Sequence, residues 1–446
     1  MSLLNQIFDA GIVGCGGAGF PTHIKLKASV GTLIMNAAEC EPLLRTDRYI
    51  MRNFPMQLVS AFRAVSNLVS AKACVIALKG AYRDEINALE QAISDTGAPI
   101  KLHKMDSFYP AGDEHVIVYE VTGKTVPAAG IPLDVDTVVM NVGTTLCVYD
   151  AMLGKPFTYK YLTVTGEVNK PVIIKAPIGT SVKECIMLAG GAKSRRYFVK
   201  NGGPMMGRAI AYDHIDAEVV TKTTSGLLIL PEEGYLSNSS KIPWANVKQR
   251  AASVCIQCSY CTQLCPRYLM GHPLEPHKIM RALAMGDDVE TLLKHPAVQN
   301  AALCSECGIC SIYSCPMGLQ PSSVNKVLKD GLARTGIRFQ KGISTPARDM
   351  REYRNVPTRR IASRAGVLPY YDYQIEEMVT ADPDIVSIPL KQHIGAPSIP
   401  VVKEGDIVTA EQLIAKCPEG KPGANIHASI SGIVRECKDS VIIQKG

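Results

Sequence analysis

Apolar residues recur in two rhythms along this chain, and the places where the rhythm changes mark its organisation. In the first part, uninterrupted apolar runs alternate with stretches of helical period. Thr32-Leu33-Ile34-Met35, Cys74-Val75-Ile76-Ala77-Leu78 and Thr137-Val138-Val139-Met140 are set among patterns that predict helices over 56–69 and 82–95. Strands apolar at every position have both faces covered, the mark of a mostly parallel sheet between helices. From about Lys160 to Pro231 the pattern shortens to small strands and Gly/Pro turns, such as Leu162-Thr163-Val164-Thr165-Gly166 and Asn201-Gly202-Gly203-Pro204, predicting a separate β-rich module. Helical stretches return around 275–293 and 324–335, and from Ile385 to Gly446 short β-runs with glycines at turn positions take over.

Composition narrows this picture only a little. A chain of 446 residues with 46% hydrophobic content has material for about three cored domains. Its net charge of +7 is compatible with an acidic partner but far too weak for a nucleic-acid surface. No apolar run approaches the roughly 20 residues that span a bilayer. The start, MSLLNQIFDAG, carries an acid rather than a basic leader, so neither a membrane span nor a secretory signal is expected.

The cysteines change the picture most. Eight of the 15 fall in two runs, Cys255-x2-Cys258-x2-Cys261-x3-Cys265-Pro266 and Cys304-x2-Cys307-x2-Cys310-x4-Cys315-Pro316. Three thiols at this interval are aimed by tight turns at one iron–sulfur cube, and the fourth, ahead of a proline, reaches the neighbouring cube. The spacing therefore predicts one [4Fe–4S] cluster on Cys255, Cys258, Cys261 and Cys315, and a second on Cys304, Cys307, Cys310 and Cys265. Structural zinc is the competing reading, but it takes two ligands per knuckle and has no use for a third Cys at the same interval. The second run carries one residue more than the common final gap. His272, His277 and His295 lie nearby, yet no cysteine is missing for them to replace. The other seven cysteines (15, 40, 74, 147, 185, 417 and 437) show no paired spacing and fit a reducing compartment, with cytoplasm as the default.

Four polar blocks stand out in the first 150 residues. Gly14-Cys15-Gly16-Gly17-Ala18-Gly19-Phe20-Pro21-Thr22 precedes Lys25, and its missing Cβ atoms let backbone N–H groups approach a phosphate or a flat ring. Asn36-Ala37-Ala38-Glu39-Cys40-Glu41-Pro42 follows an apolar strand, where open α/β sheets bind ligands. Tyr109-Pro110-Ala111-Gly112-Asp113-Glu114 and Met140-Asn141-Val142-Gly143-Thr144 are the third and fourth. Cys15 and Cys40 fall among these blocks and read first as small buried hydrophobes. Arg348, Arg351 and Arg354 recur every three residues, followed by Arg359, Arg360 and Arg364. They predict a solvated helix partnered by Asp349 and Glu352, with a docking face for an acidic electron partner as the alternative. Lys421, in Gly420-Lys421-Pro422-Gly423, reads as a turn lysine rather than a carrier of a lipoyl or biotinyl group.

In order and composition the four blocks resemble the FMN- and NADH-binding domain of the flavoprotein subunit of respiratory complex I. The resemblance implies that Gly14, Gly16, Gly17 and Lys25 cradle FMN, with Asn36 and Glu39 at the flavin and Glu41 near the nicotinamide nucleotide. Gly112, Asp113 and Glu114 would line the opposite wall, Asn141 and Thr144 would hold the phosphate end, and Phe20 would stack on adenine. Cys15 stands where that loop has arginine, Ala38 where it has an acid, and Leu26 where it has tryptophan.

The whole arrangement resembles the RnfC/PduS family. His393-Ile394-Gly395-Ala396-Pro397 near the C-terminus, the x4 gap and Leu274-Glu275-Pro276-His277-Lys278-Ile279-Met280-Arg281 are most similar to PduS, the cobalamin reductase of propanediol-utilisation microcompartments. The implied layout is an α/β FMN/NADH-binding domain (1–155), a β-grasp (SLBB) module (156–235) and a ferredoxin-like two-[4Fe–4S] α-helical domain (244–335). An Arg-rich linker (336–384) and a C-terminal barrel-sandwich, lipoyl-like β domain (385–446) complete it. The implied activity is an NADH-dependent oxidoreductase passing electrons through FMN and two [4Fe–4S] clusters to a corrinoid, from cob(III)alamin towards cob(I)alamin. The partners would be cobalamin or a corrinoid-processing enzyme, with a microcompartment shell or another redox protein as further contacts, in the cytoplasm or within a bacterial microcompartment. Two alternatives stay open: an RnfC-like relay delivering electrons to ferredoxin or a membrane partner, and an iron–sulfur adaptor whose flavin domain has lost its ligand. No side chain is assigned as a catalytic acid or base.

Overall fold

The computed structural model describes residues 1–17, 19–284 and 288–446, and of Ser240 the backbone only. The predicted parallel sheet is present. Strands β1 (Thr32–Ala37), β2 (Ala73–Lys79), β3 (Ile100–Met105) and β5 (Thr137–Asn141) run parallel in the order β3-β2-β1-β5; β4 (Phe108–Tyr109) lies apart. Alternate residues of these strands enter different cores. Leu33 and Met35 pack with the helices Pro55–Leu68 and Val142–Met152, whereas Ile34, Ala77 and Val139 pack with helix Glu114–Thr122 on the other face. A strand buried on both faces has no polar positions to spare, which is why its pattern reads as a continuous apolar run. The predicted helices over 56–69 and 82–95 appear as Pro55–Leu68 and Arg83–Thr96, the second closed by Gly97 in the left-handed conformation.

The β-rich stretch forms a six-stranded mixed sheet. Its strands are β6 (Tyr159–Gly166), β7 (Val172–Pro177), β8 (Tyr197–Asn201), β9 (Arg208–Ile210) and β10 (Gly226–Pro231), in the order β7-β6-β10-β8-β9. The sixth strand comes from far downstream. After β11 (Val356–Pro357), which pairs with β4, the chain returns as β12 (Met378–Thr380) and joins β7 in parallel.

The cysteine-bearing stretch is a set of short helices around its own core, built on Ile279, Leu283, Val298, Val324 and Leu328. The helix predicted around 275–293 appears as Pro276–Leu283 and Val289–Leu293; residues 285–287 between them lie outside the described part. The C-terminal β-runs make two small sheets. One holds β13 (Ile385–Pro389), β15 (Ile407–Val408), β18 (Gly432–Cys437) and β19 (Ser440–Gln444); the other holds β14 (Ile399–Pro400), β16 (Leu413–Lys416) and β17 (Ile426–His427).

A solvated arginine helix is observed only over Thr358–Arg364, with Arg359, Arg360 and Arg364 exposed, and not around Asp349 and Glu352. Arg351 is buried, pairs with Glu120 and lies 4.5 Å from the ring centre of Tyr119; Arg348 stacks 3.8 Å from the ring centre of Tyr268. Only Glu352–Arg354 and Thr358–Arg364 are helical in this stretch. Distant aromatic and acidic partners offer the guanidinium groups more than the local Asp349 and Glu352 can, because stacking and a buried charge-assisted bond are both available there.

Candidate functional site

A cavity of about 340 Å³ opens at the carboxyl ends of β1 and β5, where parallel α/β sheets hold ligands. Gly14, Gly16, Phe20 and Lys25 line it from the glycine loop, and Asn36, Glu39 and Glu41 from the end of β1. Gly112, Asp113 and Glu114 supply a further wall, with Asn141 and Thr144 beyond β5. Of the residues singled out from the sequence, only Gly17 is absent from the lining, although its φ of 117° places it in a loop shape that favours glycine. A Cβ at Gly112 would meet Cys40 Sγ at 3.2 Å and the Asn36 amide just beyond, so the missing side chain keeps that wall thin.

Several of these side chains already have protein partners. Asn141 caps helix Val142–Met152, its Oδ1 accepting from the Gly143 and Thr144 N–H groups at 2.9 and 3.4 Å. Thr144 Oγ1 in turn accepts from the Cys15 N–H at 2.9 Å and so fixes the glycine loop to that helix. Glu39 accepts from the Asp47 and Arg48 N–H groups at 2.8 and 3.4 Å, at the start of helix Thr46–Asn53. Glu41 accepts from the N–H groups of Met205 and Met206, both at 2.9 Å, so the turn after β8 is tied into the cavity wall. Lys25 donates to Glu114 at 2.6 Å. Asp113 caps helix Glu114–Thr122 and takes Arg267 at 2.6 Å, a pair nearly shut off from solvent that joins the cavity to the cysteine-bearing segment.

The electrostatics follow from burial. Burial pushes Glu41 up to about 7, with the Met205 and Met206 N–H groups pulling against it. Asp47, which sequence reasoning overlooked, is pushed up to about 8 by burial and then by neighbouring Glu39, itself raised by burial. For Asp113 burial acts upward too, but Arg267 wins and holds the carboxyl below its usual range. The cavity therefore combines three acids that burial biases towards the protonated form with the side chains of Lys25 and Lys160. Thr22 Oγ1, also in the wall, is buried without a hydrogen-bond partner. An orphaned hydroxyl and a Cβ-free wall are what a bound FMN would use, and the residues present fit that group.

The eight cysteines form two groups. Cys255, Cys258, Cys261 and Cys315 line one small cavity together with His277 and Met280. Cys265 lies on the other side: after burial, the thiol pushing hardest on Cys307 is Cys265, and the one pushing on Cys265 is Cys304. The two Cys-x2-Cys-x2-Cys turns share a backbone shape. Gln257 and Ser259 in the first, and Glu306 and Gly308 in the second, all have left-handed φ, at 54°, 62°, 60° and 76°. The additional residue of the second run is absorbed by a π-helical turn over Cys310–Ser314, where the first run has the α-turn Tyr260–Gln263. Backbone N–H groups of Glu306 and Leu319 point at Cys304 and Cys315 sulfurs, at 3.3 and 3.4 Å. Burial pushes Cys261 and Cys265 each up to about 12 and raises Cys304, Cys307 and Cys310. Buried thiols that oppose one another's ionisation in this way suit cationic iron, which takes them as thiolates. Cys307 also lines the large cavity, so the second group adjoins that wall directly. His272 and His277 are engaged elsewhere, with the Val126 carbonyl and the Thr262 hydroxyl.

Sequence reasoning also missed Thr22, Cys147 and Lys160 as wall residues. Thr22 was visible as the polar end of the glycine loop; Cys147 and Lys160 carried no local signal.

Four family models match the chain: the Nuo51 FMN-binding domain over 7–150, the SLBB domain over 161–209, the 4Fe-4S dicluster domain over 254–320 and the RnfC barrel sandwich hybrid domain over 371–446. Cobalamin reductase PduS of Citrobacter freundii is 39% identical over 442 residues, 99% of this chain and 96% of the relative. Its namesake from Salmonella typhimurium is 40% identical over 440 residues, 98% and 95% of the two chains. A subunit of the ion-translocating oxidoreductase complex of Pseudomonas aeruginosa is 33% identical over 301 residues, 66% of this chain and 36% of that one. Among solved structures, an NAD+-reducing [NiFe]-hydrogenase in the H2-reduced state aligns at a TM-score of 0.47 and 19% identity, covering 77% of this chain and 68% of that one. With an FMN-binding domain, an SLBB domain, a 4Fe-4S dicluster domain and a barrel-sandwich domain in one polypeptide, this chain belongs to the RnfC/PduS family of oxidoreductases, and within it to the PduS group.

Proposed function

We propose that the protein passes electrons from NADH, by way of FMN in the large cavity and two [4Fe–4S] clusters, to a corrinoid, taking cob(III)alamin towards cob(I)alamin. The observation that carries this reading is the position of Cys307, a cluster cysteine that is also part of the flavin-cavity wall. When bound, a flavin supplies the exchange between a two-electron hydride donor and one-electron carriers. The chain's own part is placement. The glycine loop, Thr22 and Lys25 hold the phosphate and ring, Asn36 and Glu39 bound the flavin, and Glu41 and Phe20 face the nucleotide. The cluster on Cys304, Cys307, Cys310 and Cys265 stands next to the cavity, and the one on Cys255, Cys258, Cys261 and Cys315 is the exit. Support for that order comes from exposure: Cys255 and Cys258 are half-buried while the other six are buried. Ile256, Tyr260 and Met317 around the outer group are 61%, 48% and 38% exposed, an apolar rim where a corrinoid or its carrier protein could come close to the exit.

The likeness to a component of an ion-translocating complex favours a second reading, a relay to another redox protein. Among the described residues no helix is long and apolar enough to cross a membrane. The test is anaerobic: protein with its cofactors is reduced with NADH, the flavin and cluster absorbance is followed, and hydroxocobalamin is added. Bleaching by NADH followed by rapid recovery with cobalamin reduction is expected. Bleaching without recovery on cobalamin would favour the relay, and no bleaching at all would remove NADH as the donor.

A further inference from the structure

We propose that Cys15 and Cys147 form a reversible dithiol–disulfide pair in the wall of the large cavity, oxidised by small hydroperoxides. The two sulfurs are 4.0 Å apart although their residues are 132 positions apart in the chain. Both line the cavity, Cys15 buried and Cys147 half-buried, so that Cys147 keeps the pair open to a small oxidant. Their positions are held from two sides. The Cys15 N–H is bound by Thr144 Oγ1, on the same helix as Cys147, and Lys160 donates to the Cys15 carbonyl at 3.4 Å. A Cβ placed on Gly143, in the first turn of that helix, would lie 3.3 Å from Cys15 Cβ. Closing the remaining gap brings the two sulfurs from 4.0 Å to a bond of about 2.05 Å.

The chemistry of the pair is unlike that of its neighbours. The Cys147 thiol, by donating to Cys15, holds Cys15 down to about 6 against burial, and Lys160 helps; Cys147 itself is driven up. Cys40, in the same cavity, is pushed up to about 11 by burial, and Cys185, in the core of the six-stranded sheet, to about 12. One thiolate beside one protonated thiol is the arrangement of an attacking and a resolving cysteine. The Cys15 thiolate attacks one oxygen of the hydroperoxide; the O–O bond breaks, the alkoxide or hydroxide leaves and takes up a proton, and Cys15 carries a sulfenic acid. Cys147 then attacks that sulfur, the S–O bond breaks, and water leaves with the Cys147 proton. Two thiols and one hydroperoxide become one disulfide, one alcohol (or water, from hydrogen peroxide) and one water. A dithiol reductant restores the pair. The cross-link would staple the glycine loop to helix Val142–Met152 and so tie the shape of the cavity to peroxide exposure.

The test uses the full chain with its cofactors. Anaerobic protein receives equimolar hydrogen peroxide, free thiols are blocked with N-ethylmaleimide on denaturation, and unreduced peptides are mapped by mass spectrometry. A Cys15–Cys147 cross-linked peptide is expected, lost on treatment with dithiothreitol, at peroxide levels that leave Cys185 fully blocked. In Cys147→Ser the cross-link disappears and Cys15 is instead trapped by dimedone as sulfenic acid. Recovery of both residues as free thiols while other cysteines oxidise would overturn the proposal. So would Cys15 joined to any cysteine other than Cys147.

Discussion

Asp47 illustrates how a single side chain reports the character of the cavity. Its carboxylate accepts from Asn141 Nδ2 at 2.8 Å and stands close enough to Glu39 for that carboxylate to oppose its ionisation. With its pKa raised from 3.8 to about 8, the folded state keeps a proton that the unfolded chain has released throughout that window. A group of this kind lowers stability progressively as pH rises from the unfolded value through the folded one. Asp47→Asn keeps an acceptor for Asn141 and removes the titration. The urea midpoint of the variant, measured against wild type at pH 5, 7 and 9, should therefore gain ground as pH increases. Parallel curves would show that Asp47 ionises freely in the folded protein. The Asp113–Arg267 pair is the opposite case, an acid held ionised by a partner, and it is also a strut between the cavity and the cysteine segment. Removing Arg267 by Arg267→Met would leave Asp113 charged and unpaired, a loss of about 3–5 kcal/mol by analogy with other buried pairs, read as a fall in the thermal midpoint.

Among the elements, the paired cysteine turns show how spacing becomes geometry. Left-handed residues at matching places in both runs, Gln257 and Ser259 against Glu306 and Gly308, curl the backbone so that three thiols face one way. The final cysteine of each run follows that turn, and Cys315 lines a cavity with Cys255, Cys258 and Cys261 of the other run. The additional residue before Cys315 is taken up by widening that turn from α to π, which leaves Cys315 facing Cys255, Cys258 and Cys261. This exchange of partners predicts a non-additive pattern in iron content. Cys255→Ser and Cys315→Ser together should cost about half the iron, no more than either alone, because both act on one cluster. Cys304→Ser with Cys315→Ser should remove nearly all of it. The reverse pattern, measured by iron assay on anaerobically purified variants, would assign Cys315 to its own run.

At the scale of the molecule, Lys222 is where three parts of the chain meet. It is buried, and its ammonium donates to the Gly11 carbonyl at 2.7 Å and the Asn425 carbonyl at 2.8 Å, while its N–H donates to Gln392 Oε1 at 3.0 Å. Gly11 admits this approach only because it has no Cβ, which would sit 2.1 Å from the Asn425 oxygen. Burial lowers the lysine from 10.5 to about 7. Between those values the unfolded chain binds the proton that the folded one has lost, so stability rises as pH increases through that range. The thermal midpoint of wild type relative to Lys222→Met should accordingly rise between pH 7 and pH 9.5. A constant difference would mean that the ammonium stays charged at the junction.

Much of this protein is legible in the order of its amino acids alone. The parallel sheet follows from strands without polar positions, and the matching turns of the two cysteine runs from their intervals of two residues, because both depend on geometry within a few residues along the chain. The four polar blocks likewise point to the ends of β1 and β5, since a strand end and the loop after it are set locally. Folding in three dimensions decides the rest. Arg351 reads as a surface charge until Glu120 and Tyr119 close over it; Glu41 reads as an acid without protein partners until the Met205 and Met206 N–H groups arrive from another sheet. Cys147 carries no signal until helix Val142–Met152 brings it to Cys15. Burial and the pairing of charges belong to surfaces that touch, and residues more than a hundred positions apart touch only once the chain has packed.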